Sequence, residues 1–133
     1  MKTATIGIVL SDFHKEIAEE MLSEAKKTSQ ELGLEVLEVK RVTGAYDIPL
    51  PLQRMLANPL INGAVVLGAV VQGETSHDEI VAFTSAQKIT ELSLKYDKPV
   101  GYGISGPRMT LEQAKARAKE FSVRAVEAVA RML

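Results

Sequence analysis

Four apolar, β-rich runs, each followed by a helical pattern, constrain this chain more than anything else in it. The runs cover residues 5–10, 35–42, 63–71 and 100–104. Helices are predicted over 14–32, 50–57 and 77–96, and from Thr110 onward. Strands that alternate with helices dictate a parallel sheet with right-handed crossovers and helices on both faces. Gly63-Ala-Val-Val-Leu-Gly-Ala-Val-Val71 shows no polar alternation, so it reads as a central strand covered on both sides. The expected fold class is α/β: three layers, α/β/α, around a flavodoxin-like four-stranded parallel sheet in the order 2-1-3-4.

Helix ends are legible too. Ile17, Met21 and Ala25 recur a turn apart on the first helix, and Gly33 stands just past its end. The second is entered through Pro49 and left before Pro59, and the third ends before Lys98-Pro99. Two capping boxes are expected, Ser76 with Glu79 and Thr110 with Gln113. On the last helix Ala114, Ala118, Phe121, Ala125, Val129 and Met132 are expected to point inward.

A length of 133 residues suits one domain spanning 1–133, with a sizeable core. The net charge of −1 argues against nucleic-acid or acidic-membrane partners, which favour a basic face. With no cysteine, disulfides, thiol nucleophiles and cysteine-based metal sites are excluded, and neither histidine has a partner at metal-ligand spacing. The apolar run near the N-terminus is too short for a signal or a membrane span, so a cytoplasmic protein is expected.

In parallel α/β sheets, ligands sit beyond the carboxyl ends of the strands. The loops there hold both histidines, His14 and His77, with Phe13 and Tyr46, whereas the opposite loops are plain. In the third loop, Gly73, Glu74 and Thr75 offer backbone N–H groups and a hydroxyl beside a positive helix end. His77 stands at the first helical position. That arrangement suits a phosphate with a titratable imidazole next to it. No G-x-x-x-x-G-K-[ST] occurs, which disfavours a P-loop nucleotidase. Val71-Gln72 stands where a receiver domain carries an aspartate, and no lysine is placed for a Schiff base on this edge.

Three segments carry a resemblance: Gly68-Ala-Val-Val-Gln-Gly-Glu-Thr-Ser-His77, Gly44-Ala-Tyr-Asp-Ile-Pro49 and Gly103-Ile-Ser-Gly-Pro-Arg-Met-Thr-Leu-Glu-Gln-Ala114. Together they resemble the lumazine synthase (6,7-dimethyl-8-ribityllumazine synthase) family, most closely its archaeal type, over residues 6–132. The resemblance implies a transferase of riboflavin biosynthesis. It would condense 5-amino-6-(D-ribitylamino)uracil with 3,4-dihydroxy-2-butanone 4-phosphate, losing phosphate and water. It further implies no cofactor or metal, and self-association into pentamers or sixty-subunit shells whose sites are shared between neighbours.

Carried over by position, Phe13 would stack on the pyrimidine, and Ala45, Tyr46 and Asp47 would hold the ribityl chain. Val70 and Val71 would line the pyrimidine pocket through their backbones. Gly73, Glu74 and Thr75 would form the phosphate turn, Gly73 permitting its tight backbone, and His77 would transfer protons. A neighbouring subunit would supply Tyr102 over the pyrimidine and Arg117 to the phosphate, and Arg124 sits near a family lysine. Departures are His14 for asparagine, which leaves it without a role, Asp47 for glutamate and Gln72 for arginine.

Plainer roles stand beside these. Phe13 could be a hydrophobic staple, Asp47 a cap for the helix at Pro49, and His77 a structural group. Arg117, Arg124 and Arg131 could form a solvated stripe with Glu120–Arg124 and Glu127–Arg131 pairs. The functional alternatives are an archaeal-type riboflavin synthase, which dismutates two lumazines and binds no phosphate, and a non-catalytic flavin- or lumazine-binding shell protein.

Overall fold

The computed structural model describes residues 3–133. Its elements run β1 (Ala4–Ser11), α1 (Lys15–Glu31), β2 (Leu34–Val42), a 3-10 turn at Ala45–Asp47, α2 (Pro49–Leu56), β3 (Gly63–Ala69), α3 (His77–Tyr96), β4 (Val100–Ser105) and α4 (Leu111–Met132). All strand pairings are parallel and the sheet order is β2-β1-β3-β4, as expected.

Strand alternation decides which layer each residue joins. Ile6, Ile8 and Leu10 of β1 and Val65 and Leu67 of β3 pack against Ile17, Met21 and Ala25 of α1 and Ala118, Ala125 and Val129 of α4. The intervening Val9, Ala64 and Val66 face the other layer, with Leu52, Met55 and Leu56 of α2 and Ala82 and Ile89 of α3. Both faces of β1 and β3 are therefore buried, which is why those strands carry almost no polar residues. Each fully buried Ile or Leu contributes about 1.5–3 kcal/mol relative to an exposed one.

Helix α4 lies directly on the backbone of β4. A Cβ placed on Gly101 would sit 2.0 Å from the carbonyl oxygen of Ala125, so only glycine fits there. At the far end of the sheet, Lys98 reaches back to α2. Its Nζ donates to the carbonyl of Leu56 (2.8 Å), the last residue of α2, and to that of Asn58 (3.0 Å), which also accepts from Ile61 N–H. Among the described residues no helix is long and apolar enough to cross a membrane.

Three details depart from expectation. β3 ends at Ala69 rather than residue 71, because the chain then turns to the loop after β4. Val70 N–H donates to O of Ser105, the last residue of β4 (2.8 Å), and Gln72 N–H to Met109 O in the loop beyond it (2.8 Å). Met132 is 59 % exposed, since α4 outruns the sheet at its last turn. The Thr110–Gln113 capping box forms, with bonds of 3.1 and 2.9 Å, but the Ser76–Glu79 box does not. Ser76 has φ −84° and ψ 19° instead of the extended backbone an N-cap needs, and Thr75 Oγ1 accepts from His77 N–H at 3.3 Å in its place.

Candidate active site

A cleft of about 410 Å³ opens beyond the carboxyl ends of β1, β2 and β3. Phe13, Ala45, Tyr46, Val70, Val71, Gly73, Thr75 and His77 all line it, from three separate loops and a helix start. Ser11, His14, Gly44, Ala69, Asp78 and Val81 also line it, and of these the sequence assigned none a role. Asp47, Glu74, Tyr102, Arg117 and Arg124 are not among its lining residues.

Phe13 is 68 % exposed, so it is not a buried staple; it meets the His14 ring edge-on, with centroids 5.0 Å apart and planes at 71°. His14 occupies the residue before α1 without capping it through its side chain. The 3-10 turn opposite is pinned from below, because Ser85 Oγ of α3 donates to Ala45 O at 3.1 Å. Asp47 folds back to accept from Gly44 N–H at 3.1 Å. Its carboxylate thus closes that turn, and it makes no capping bond to α2, contrary to the plainer expectation.

The turn before α3 is the polar end of the cleft. Among the described residues, the N–H groups of Gly73, Glu74, Thr75 and Ser76 find no protein acceptor. Four consecutive free donors at the start of a 20-residue helix suit an anion. Gly73 is not there for a left-handed backbone, since its φ is not positive, and an added Cβ would meet nothing within 4 Å. The expectation that the backbone here needs glycine is corrected accordingly: a side chain at this position would find open space.

Tyr102 lies on the edge strand β4, 38 % exposed, and burial pushes its phenol above the ordinary range. Arg124 pairs with Glu120 at 3.0 Å on its own helix, as the plainer reading has it. Arg117 is exposed, and among the described residues it makes no ion pair or side-chain hydrogen bond. No group of three or more His, Asp or Glu side chains that could hold a metal occurs among those residues. The cleft thus offers an aromatic platform and valine walls at one end, an anion cradle at the other, and an imidazole at the cradle's edge.

Comparison with known proteins identifies the family. The sequence model of a family described as 6,7-dimethyl-8-ribityllumazine synthase matches residues 3–133. A protein of that name from Staphylothermus marinus is 45 % identical over 130 residues, covering 98 % of this chain and 87 % of its own. Its namesake in Saccharolobus islandicus is 42 % identical over 132 residues, covering 99 % and 86 %. That of Sulfolobus acidocaldarius is 44 % identical over 128 residues, covering 96 % and 81 %.

Proposed function

The chain belongs to the 6,7-dimethyl-8-ribityllumazine synthase family, and from that premise we propose how its cleft carries out the family's condensation. The protein is a transferase of riboflavin biosynthesis. It joins 5-amino-6-(D-ribitylamino)uracil to 3,4-dihydroxy-2-butanone 4-phosphate, releasing phosphate and water. The observation that carries the assignment of roles is the row of free N–H groups at 73–76, of which Gly73 and Thr75 line the same cleft as Phe13 and His77.

In this reading the pyrimidine stacks on Phe13 and rests against Val70 and Val71. The ribityl chain runs along Ala45 and Tyr46, with Asp47 holding the turn that presents them. The phosphoryl group occupies the cradle of Gly73, Glu74 and Thr75, whose N–H groups and helix dipole offset its charge. The amine attacks the ketone and loses water to give an imine, phosphate is eliminated, and the ring closes with loss of a second water. Each step moves a proton near neutral pH, which His77 serves as general acid and base.

Tyr102 and Arg117 then act on a neighbour's cleft. Ile80 (61 % exposed) and Phe83 (58 %) stand three residues apart on one face of α3, an apolar pair that the single subunit leaves bare. They support a seat for the next subunit in a ring of five, alone or within a closed shell. The unpaired Arg117 fits a group that finds its partner across that seat, and Arg124, bound to Glu120, contributes less.

The decisive assay incubates the protein with both substrates and follows lumazine absorbance and phosphate release together. Turnover supports the reading. Riboflavin formed from lumazine alone would establish the riboflavin synthase alternative, and riboflavin binding without turnover the shell protein. His77→Ala should lower kcat by about 10²–10⁴-fold with binding retained. Arg117→Ala should chiefly raise the KM for the phosphorylated ketone, and an unchanged KM would refute a shared phosphate site.

A further inference from the structure

We propose that Asp78 is a positioning residue: its carboxylate clamps the β4–α4 loop against the start of α3 and thereby holds the 73–76 turn and His77 in register. The proposal rests on reading that turn as the phosphoryl site. The turn is poorly held from within, its one internal side-chain bond running from His77 N–H to Thr75 Oγ1. It must be fixed from its two ends.

At the floor end, Val70 N–H and Gln72 N–H donate to Ser105 O and Met109 O, both at 2.8 Å, which seats residues 70–72 on the loop after β4. Gly106 in that loop has φ +104°, and a Cβ there would come within 2.4 Å of Val70 O, so the loop's backbone lies directly on the cleft floor. At the helix end, Asp78 is only 5 % exposed, and a carboxylate so deep requires a donor. Its Oδ2 accepts from Arg108 N–H at 2.9 Å. Arg108 itself is held at φ 60°, a conformation side chains rarely adopt and one that persists only where the surroundings enforce it. Its Nε also donates to Glu79 Oε1 at 2.7 Å, so both first-turn carboxylates of α3 are directed to the same residue. Their negative charge is met there, beside the cradle that has to receive an anion. The turn is thus bracketed on both sides by one loop, and Asp78 is the bracket on the imidazole's side.

The test measures steady-state kinetics and competitive inhibition by inorganic phosphate. Asp78→Ala is expected to raise both the KM for the phosphorylated ketone and the Ki for phosphate about tenfold, leaving the KM for the pyrimidine within twofold. Asp78→Asn, whose amide oxygen can still accept from Arg108, should restore both constants to within about threefold. A mere fall in thermal stability with unchanged constants would overturn the clamp. In the unaltered protein, saturating phosphate should slow hydrogen exchange at the Arg108 amide, because coupling between the turn and the loop is reciprocal. Unchanged exchange on binding would likewise overturn it, whether or not the alanine variant folds. If the unaltered protein neither binds phosphate nor releases it from the ketone, the reading of the turn itself fails, an outcome distinct from failure of the clamp alone.

Discussion

Replacing Phe13 by alanine separates binding from folding, because the side chain is 68 % exposed and its one aromatic neighbour among the described residues is His14. Losing it should cost less than about 0.5 kcal/mol of stability. The face of the ring is free to receive a flat heterocycle. Stacks of a base on an aromatic side chain are worth about 1–3 kcal/mol by alanine substitution. Taking about 2 kcal/mol, the dissociation constant of the pyrimidine substrate should rise roughly 30-fold. Titration with that substrate alone, followed calorimetrically, isolates the effect from chemistry, and the KM for the phosphorylated ketone should stay within twofold. A dissociation constant that rises less than threefold, with melting unchanged, would refute the platform.

Gly101→Ala should be among the most damaging small substitutions in the chain, since its methyl would meet the Ala125 carbonyl at 2.0 Å, where ordinary contact begins near 3.4 Å. An overpacking cost of about 3 kcal/mol, set against roughly 0.28 kcal/mol per degree for a chain this long, lowers Tm by about 10 °C in a calorimetric scan. Burial raises the Tyr102 pKa in the folded state, so its contribution to stability is complete below the unfolded value near 10.0 and is lost as pH rises through the folded one. Tyr102→Phe should accordingly flatten the alkaline fall in denaturation midpoint, and an unaltered slope above about pH 10 would contradict that cause.

Much of the fold was legible because its signals are local. Helix α3 was read at both ends: Lys98-Pro99 forbids continuation, and Asp97 provides the left-handed residue (φ 52°) that ends it. The Thr110–Gln113 box formed because no distant group competes for either partner. The Ser76–Glu79 box failed for the opposite reason, as Arg108, twenty-nine residues on, holds the Glu79 carboxylate. Cleft residues that end strands or begin helices, such as Phe13 and His77, could be found from their place on the sheet edge. Asp78 could not, since a carboxylate in a first helical turn reads as ordinary dipole compensation until the loop against it is known. His14 was set aside for its residue type, although its backbone position alone puts it in the cleft. Arg117 and Tyr102 stayed outside this subunit's cleft, and no pattern within one chain reports on geometry made by two.

The bare seat of α4 on β4 has a mechanical corollary. Most helices ride on a cushion of side chains that can yield by fractions of an ångström, whereas this one bears on main chain at Gly101. Any displacement of the helix must drag the strand, and the strand runs on into the loop beneath the cleft floor. The helix that carries Arg117 and the loop that backs residues 70–72 are therefore one rigid lever. Chain inserted ahead of Ala125 would misalign both ends together, whereas the final turn, beyond Val129, can be lengthened or trimmed at small cost.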